Sequence, residues 1–124
     1  MISKSVLYAA VIFITFLSAC EREKPASLTG VFKARIADAL CANIIVEIQD
    51  SSYYQYGMDW TNNAGKSYQH VFTVINNCEF AGKDLREGES FLCKIVTSAD
   101  QGNCYTCLAV MQTPPLAHLI KVVQ

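Results

Sequence analysis

The sequence predicts a small all-β domain, an antiparallel barrel or sandwich of five to six strands, preceded by an N-terminal signal helix. Three observations lead to this class. Past residue 28 the apolar residues recur with a period of two. The runs that carry this period are short and are separated by Gly, Asn, Asp, Ser and Pro turn chemistry. No window past residue 28 keeps a helical period over three turns.

The N-terminus has a character of its own. Lys4 supplies a positive charge, and residues 6–17 (VLYAAVIFITFL) form an uncharged apolar stretch. A dozen such residues fit the hydrophobic region of a signal peptide and fall short of the roughly 20 that a spanning helix needs. The charged run Glu21-Arg22-Glu23-Lys24 ends the segment abruptly.

At that junction stands Leu17-Ser18-Ala19-Cys20. It resembles the lipobox of bacterial lipoproteins, in which an apolar and two small residues precede a cysteine. The resemblance implies a diacylglyceryl group on Cys20 and cleavage between Ala19 and Cys20. Each buried methylene of such an anchor contributes about 0.8 kcal/mol, so several acyl chains hold a protein nearly permanently. The partner so implied is a membrane, and the place is the bacterial cell envelope. Glu21 stands where the enteric pattern puts an inner-membrane aspartate, which tilts the expectation toward the outer membrane.

The domains expected are a signal peptide (1–19), a lipidated cysteine with a tether (20–28) and one β domain (29–124). Removing residues 1–19 from the 124-residue chain leaves 105, enough for one modest core. Without Lys4 the chain carries nine basic and eleven acidic residues, and no basic cluster offers a footprint for nucleic acid. The sequence carries no signal of oligomeric state.

The first strand runs over residues 31–36, with Phe32, Ala34 and Ile36 on one face and Lys33 and Arg35 on the other. The second runs over 43–49 and sets Ile44, Val46 and Ile48 opposite Glu47 and Gln49. Asp50-Ser51-Ser52 reads as a turn. A tyrosine-rich segment and a polar stretch precede a third strand at 70–75; residues 82–89 read as a loop or single helical turn. A fourth strand covers 91–97, with Phe91, Cys93 and Ile95 facing one way. The last strands fall at 104–111 and 119–123, interrupted by Pro114-Pro115, which no central strand tolerates. A strand pair, a long middle connection and a late strand are similar to an OB-like or SH3-like barrel.

The layout also resembles small envelope lipoproteins of bacteria, with one cysteine opening an early strand (Cys41-Ala42-Asn43-Ile44) and another a late one (Cys107-Leu108-Ala109-Val110). That likeness implies a Cys41–Cys107 staple and brings no activity with it.

Besides Cys20, the cysteines are Cys41, Cys78, Cys93, Cys104 and Cys107, a density that suits an oxidising compartment. Five is odd, so at most two bridges form among them and one thiol is left over, with the connectivity open on spacing. Cys104-Tyr105-Thr106-Cys107 is a C-x-x-C, but Pro114-Pro115 follows too soon for the helix that activates a redox pair. Haem attachment requires a histidine where Leu108 stands. No second C-x-x-C completes a zinc ribbon, and the alternating oxygens of a calcium loop are missing. No cofactor and no metal is therefore expected. Cys93 on its apolar face reads as a small hydrophobe, and with His70 as its only mid-domain base the chain is expected not to be an enzyme.

One segment points to recognition. Tyr53, Tyr54, Tyr56, Trp60 and Tyr68 lie close together around polar sequence, and rings on a β surface stack on sugars or anchor protein partners. Equally, tyrosines are favoured in strands and cover barrels. The expected function is a non-enzymatic binding or structural β domain at the envelope, with a glycan or an envelope protein as partner. The alternative is a thiol-redox or metal-handling protein that uses Cys104 and Cys107.

Overall fold

The computed structural model describes residues 27–100, 102–104 and 110–123. The expected signal helix, Ala19, Cys20, the tether up to residue 26 and Cys107 lie outside the described residues. Six strands make up the domain: β1 (Phe32–Leu40), β2 (Asn43–Ile48), β3 (Met58–Thr61), β4 (Ser67–Val74), β5 (Ser90–Val96) and β6 (Ala117–Val122). Two 3-10 turns, η1 (Ser51–Tyr56) and η2 (Asn77–Phe80), are the helical elements among the described residues.

The sheet order is β2-β1-β5-β6-β4-β3, and a further pairing of β2 with β4 closes five of the strands into a barrel. β3 is the sixth strand and pairs with β4 outside the closure. The neighbours β5-β1-β2-β4 form a Greek key, so of the two anticipated shapes this five-stranded barrel is the OB-like one. The pairings are antiparallel except for β4 with β6, which run parallel through Thr73↔Ala117 and Val74↔His118. That exception corrects the wholly antiparallel expectation. It arises because β6 reaches β4 only after the chain has crossed through η2 and β5, a long-range arrangement that local patterning does not encode.

Inside the barrel the alternation holds. Phe32, Ala34 and Ile36 of β1 and Ile44, Val46 and Ile48 of β2 are buried together with Phe72, Phe91, Cys93, Ile95 and Ile120. β1 extends beyond Ile36 because an extra residue, Ala37, bulges between the pairs Ile36↔Val46 and Asp38↔Ile45. β1 and β2 are joined at Leu40↔Asn43 by Cys41-Ala42, with Cys41 at φ 57°. Asn76 is buried and acts as a strand surrogate: its Oδ1 accepts from Ile120 N–H at 2.8 Å and its Nδ2 donates to Ile120 O at 2.7 Å. Thr29 Oγ1 likewise accepts from Ile95 N–H at 3.0 Å.

The final region departs from the sequence reading. Cys104, Val110 and Met111 are not in strand, and residues 105–109 of that expected strand lie outside the described residues. Cys104 is instead bonded to Cys78 in η2, 26 residues away, which ties this segment to the turn after β4.

Candidate functional site

β4 makes the site by leaving the barrel. Its C-terminal half pairs with β2 through Val71, Phe72 and Thr73. Its N-terminal half pairs with β3, and between Met58↔Val71 and Trp60↔Tyr68 it carries one residue more than β3 does. His70 lies in this bulge at φ 55°, a left-handed conformation uncommon outside glycine though histidine tolerates it better than most. Gly57 permits the bend: a Cβ there would stand 2.6 Å from the carbonyl carbon of His70. Asp59 accepts the His70 N–H at 3.3 Å.

Between the outturned arm of β4 and the outer face of β1 and β2 lies an open groove of about 880 Å3. β1 contributes Arg35, β2 contributes Glu47, η1 contributes Tyr54, and the arm of β4 with its preceding residue contributes Lys66, Tyr68 and His70. Arg35 donates to Glu47 Oε2 at 2.7 Å, and both side chains remain partly exposed. The Tyr54 and His70 rings stack face to face, centroids 3.6 Å apart and 3° from parallel. The Lys66 ammonium sits 5.0 Å from the Tyr68 ring centroid, and the Tyr68 hydroxyl donates to Asp38 Oδ2 at 2.8 Å. Burial, then the hydrogen bond to Asp38, raises the Tyr68 pKa; the hydrogen bond with Tyr68 raises that of Lys66. Both groups therefore keep their protons at neutral pH. With Glu87 on the rim, two acidic and two basic side chains balance in the groove.

The five aromatic residues singled out in the sequence do not form one surface. Tyr53, Tyr54 and Tyr56 pack from η1 against the barrel core, Tyr53 stacking on Phe32 at 4.9 Å. Trp60 stacks on Tyr68 at 5.7 Å over a second small core with Ile45 and Val71 on the outside of the barrel. Only Tyr54 and Tyr68 of the five line the groove. Arg35, Glu47, Lys66 and His70, which the sequence reading did not select for recognition, line it with them. Outward alternation had already separated Arg35 and Glu47 from the core. What it lacked was the hairpin register that sets them opposite each other.

Among the described cysteines, Cys41, Cys78 and Cys104 are disulfide-bonded. Cys93 is unbonded and fully buried, and burial pushes its pKa up to about 12, so no thiolate forms near neutral pH. The expected Cys41–Cys107 staple has its second member outside the described residues. His118 Nε2 shares a 2.8 Å hydrogen bond with the Tyr56 carbonyl, which turns it toward the packed aromatic end rather than toward the groove. The sequence matches no protein-family model, and comparison with curated proteins and with solved structures yields no match.

Proposed function

We propose that the chain is a lipid-anchored envelope protein, held to a membrane through Cys20, whose β domain binds a polar, uncharged glycan in the groove beside β4. The observation that carries the binding reading is the groove itself. It offers paired charges, the polar edges of Tyr54 and His70, and a ring system already stacked against itself. A site with balanced charge and many hydrogen-bonding groups suits a neutral hydroxyl- and amide-rich ligand better than an ion or a nucleic acid. Because the ring faces are engaged with one another, hydrogen bonds rather than open stacking platforms would carry recognition.

The membrane half of the proposal is supported by the apolar segment 6–17 and by Leu17-Ser18-Ala19-Cys20. Redox or metal chemistry at Cys104 and Cys107 has the weaker support, because Cys104 is bonded to Cys78.

Two measurements test the two halves separately. Intact mass of the chain purified from a bacterial envelope should show residues 20–124 plus a diacylglyceryl or fuller lipid; an unmodified N-terminus discards the anchor. Titration of isotope-labelled residues 20–124 with N-acetylglucosamine oligomers, followed by amide NMR, should move the resonances of Arg35, Glu47, Lys66 and His70 together. Silence at millimolar saccharide, or shifts confined to other surfaces, discards the glycan.

A further inference from the structure

A second outer face, formed by β1, β5 and β6 on another side of the barrel, is composed quite differently. Register places Lys33, Leu92 and Val123 in one row across the three strands, since Lys33 pairs with Leu92 and Val123 N–H donates to Leu92 O. Lys94 and Lys121 stand directly opposite each other in the next row. Leu28, Val31, Leu92 and Val123 are all between 43 and 52% exposed, so four of the seven large hydrophobics exposed among the described residues belong to this face or its rim. Like charges directly opposite on a sheet oppose folding. Glu79 lies 3.5 Å from Lys121 and is shared with Lys83 at 3.8 Å, while Asp100 borders the cleft beyond Lys94. No acid is paired with Lys33 or Lys94 in a salt bridge among the described residues.

The chain enters the domain at this face. Ser27 bridges to Val96 at the end of β5, and Leu28 N–H donates to Ile95 O at 2.9 Å. Six residues lie between Cys20 and Ser27, seven Cα steps that span at most about 25 Å.

We infer that this face lies on the anionic phospholipid surface to which Cys20 is attached, with Lys33, Lys94 and Lys121 on headgroups and Leu28, Val31, Leu92 and Val123 at the acyl boundary. The inference rests on the lipid-anchor reading for its tether. Charge complementarity selects the occupant: lysines near an anionic leaflet are attracted to it, and partly exposed aliphatic side chains between them gain by leaving water. Three lysines alone bind a bilayer weakly, so the face orients a domain that the tether already confines. The groove beside β4 opens from the β1–β2–β4 side and is thereby left accessible.

Lysine acetylation footprinting tests this with the native surface. Residues 20–124 carry an N-terminal hexahistidine tag and are held on vesicles of phosphatidylcholine and phosphatidylglycerol doped with a nickel-chelating lipid, so the result does not depend on lipidation of Cys20. Labelling of Lys33, Lys94 and Lys121 should fall at least fivefold relative to phosphatidylcholine vesicles with the same dopant, while Lys66, in the groove beside β4, stays unchanged. In 1 M salt the protection of the three lysines should largely disappear. Equal labelling of these four lysines on anionic vesicles overturns the inference, as does protection only when a second protein is added. The mass of the envelope-purified chain reports separately on the anchor.

Discussion

The two outer faces of this barrel share strand β1 and the same alternating pattern, yet their chemistry has been resolved in opposite ways. On the β1–β2–β4 side the charges answer one another: Arg35 meets Glu47, and Lys66, Tyr68 and Asp38 form a connected set. The rings there stack in pairs. On the β1–β5–β6 side Lys94 faces Lys121, and aliphatic side chains stand partly in water. The difference teaches that one strand of a barrel can border both a groove whose polar groups satisfy one another, as the proposed ligand requires, and a face whose lysines are sparsely paired. A surface left locally unsatisfied calls for a partner that supplies what is missing.

The largest expected effect concerns the wall behind the second face. Cys93 points inward from β5 between outward Leu92 and Lys94, and its thiol pKa is about 12 against an ordinary value of 9. The unfolded chain therefore releases this proton first as pH rises. The thiol's contribution is full below pH 9 and is lost between 9 and 12, about 4 kcal/mol in all and roughly a third of that by pH 10. Urea unfolding at pH 7, 9 and 10 should show that fall in the native chain. Cys93→Ala, with a lower baseline, should show a correspondingly flatter one. Equal slopes would mean that the thiol reaches solvent and that the barrel wall is looser than its burial implies.

Next in size is a change that strikes the groove alone. Gly57→Ala places a methyl group against the backbone of His70, which no side-chain rotation relieves. Overpacking of this kind costs about 1–3 kcal/mol. The lower melting temperature should be accompanied by loss of any saccharide response at His70 and Lys66, while vesicle protection of Lys94 and Lys121 is retained. Loss of both functions together would show that the faces are not independent.

How much of this was legible in the sequence depends on how far the information travels along the chain. The inward residues of β1, β2 and β5 follow from a period of two, and Cys93 was readable as a buried hydrophobe from its neighbours alone. The β1–β2 hairpin was not marked by turn chemistry, because Cys41-Ala42 occupies a position where Asn-Gly would announce itself. Ile45 violates the alternation, being buried on the outside of the barrel under Trp60 and Tyr68. That burial depends on β3 folding back over β2 and β4. The tyrosine segment was visible as a cluster in sequence, but η1 and β3 divide it between two cores, so proximity along the chain overstated proximity in space. His70 gave no local sign of its bulge. Its role depends on Gly57, thirteen positions earlier, and on the partner strand that Gly57 precedes.

The smallest expected effect is the most discriminating, because stability and function should move in opposite directions. Lys94→Glu turns the like-charged pair Lys94↔Lys121 into an opposed pair on neighbouring strands. Cross-strand pairs of opposite charge on an exposed sheet contribute about 0.2–1 kcal/mol, so denaturant unfolding should show a slightly more stable domain. The same substitution removes one attraction to an anionic leaflet and adds a repulsion, so protection of Lys33 and Lys121 on phosphatidylglycerol vesicles should weaken severalfold. Lys66→Glu is the counterpart on the groove face. It removes the cation over Tyr68 and sets a carboxylate near Asp38, so it should destabilise the domain and leave vesicle protection untouched. If Lys94→Glu stabilises without any loss of protection, the facing lysines are an accident of the sheet rather than part of a membrane surface. If it destabilises, the pairing with Glu79 around Lys121 matters more than the repulsion across the strands, and the contrast between the two faces is smaller than their composition suggests.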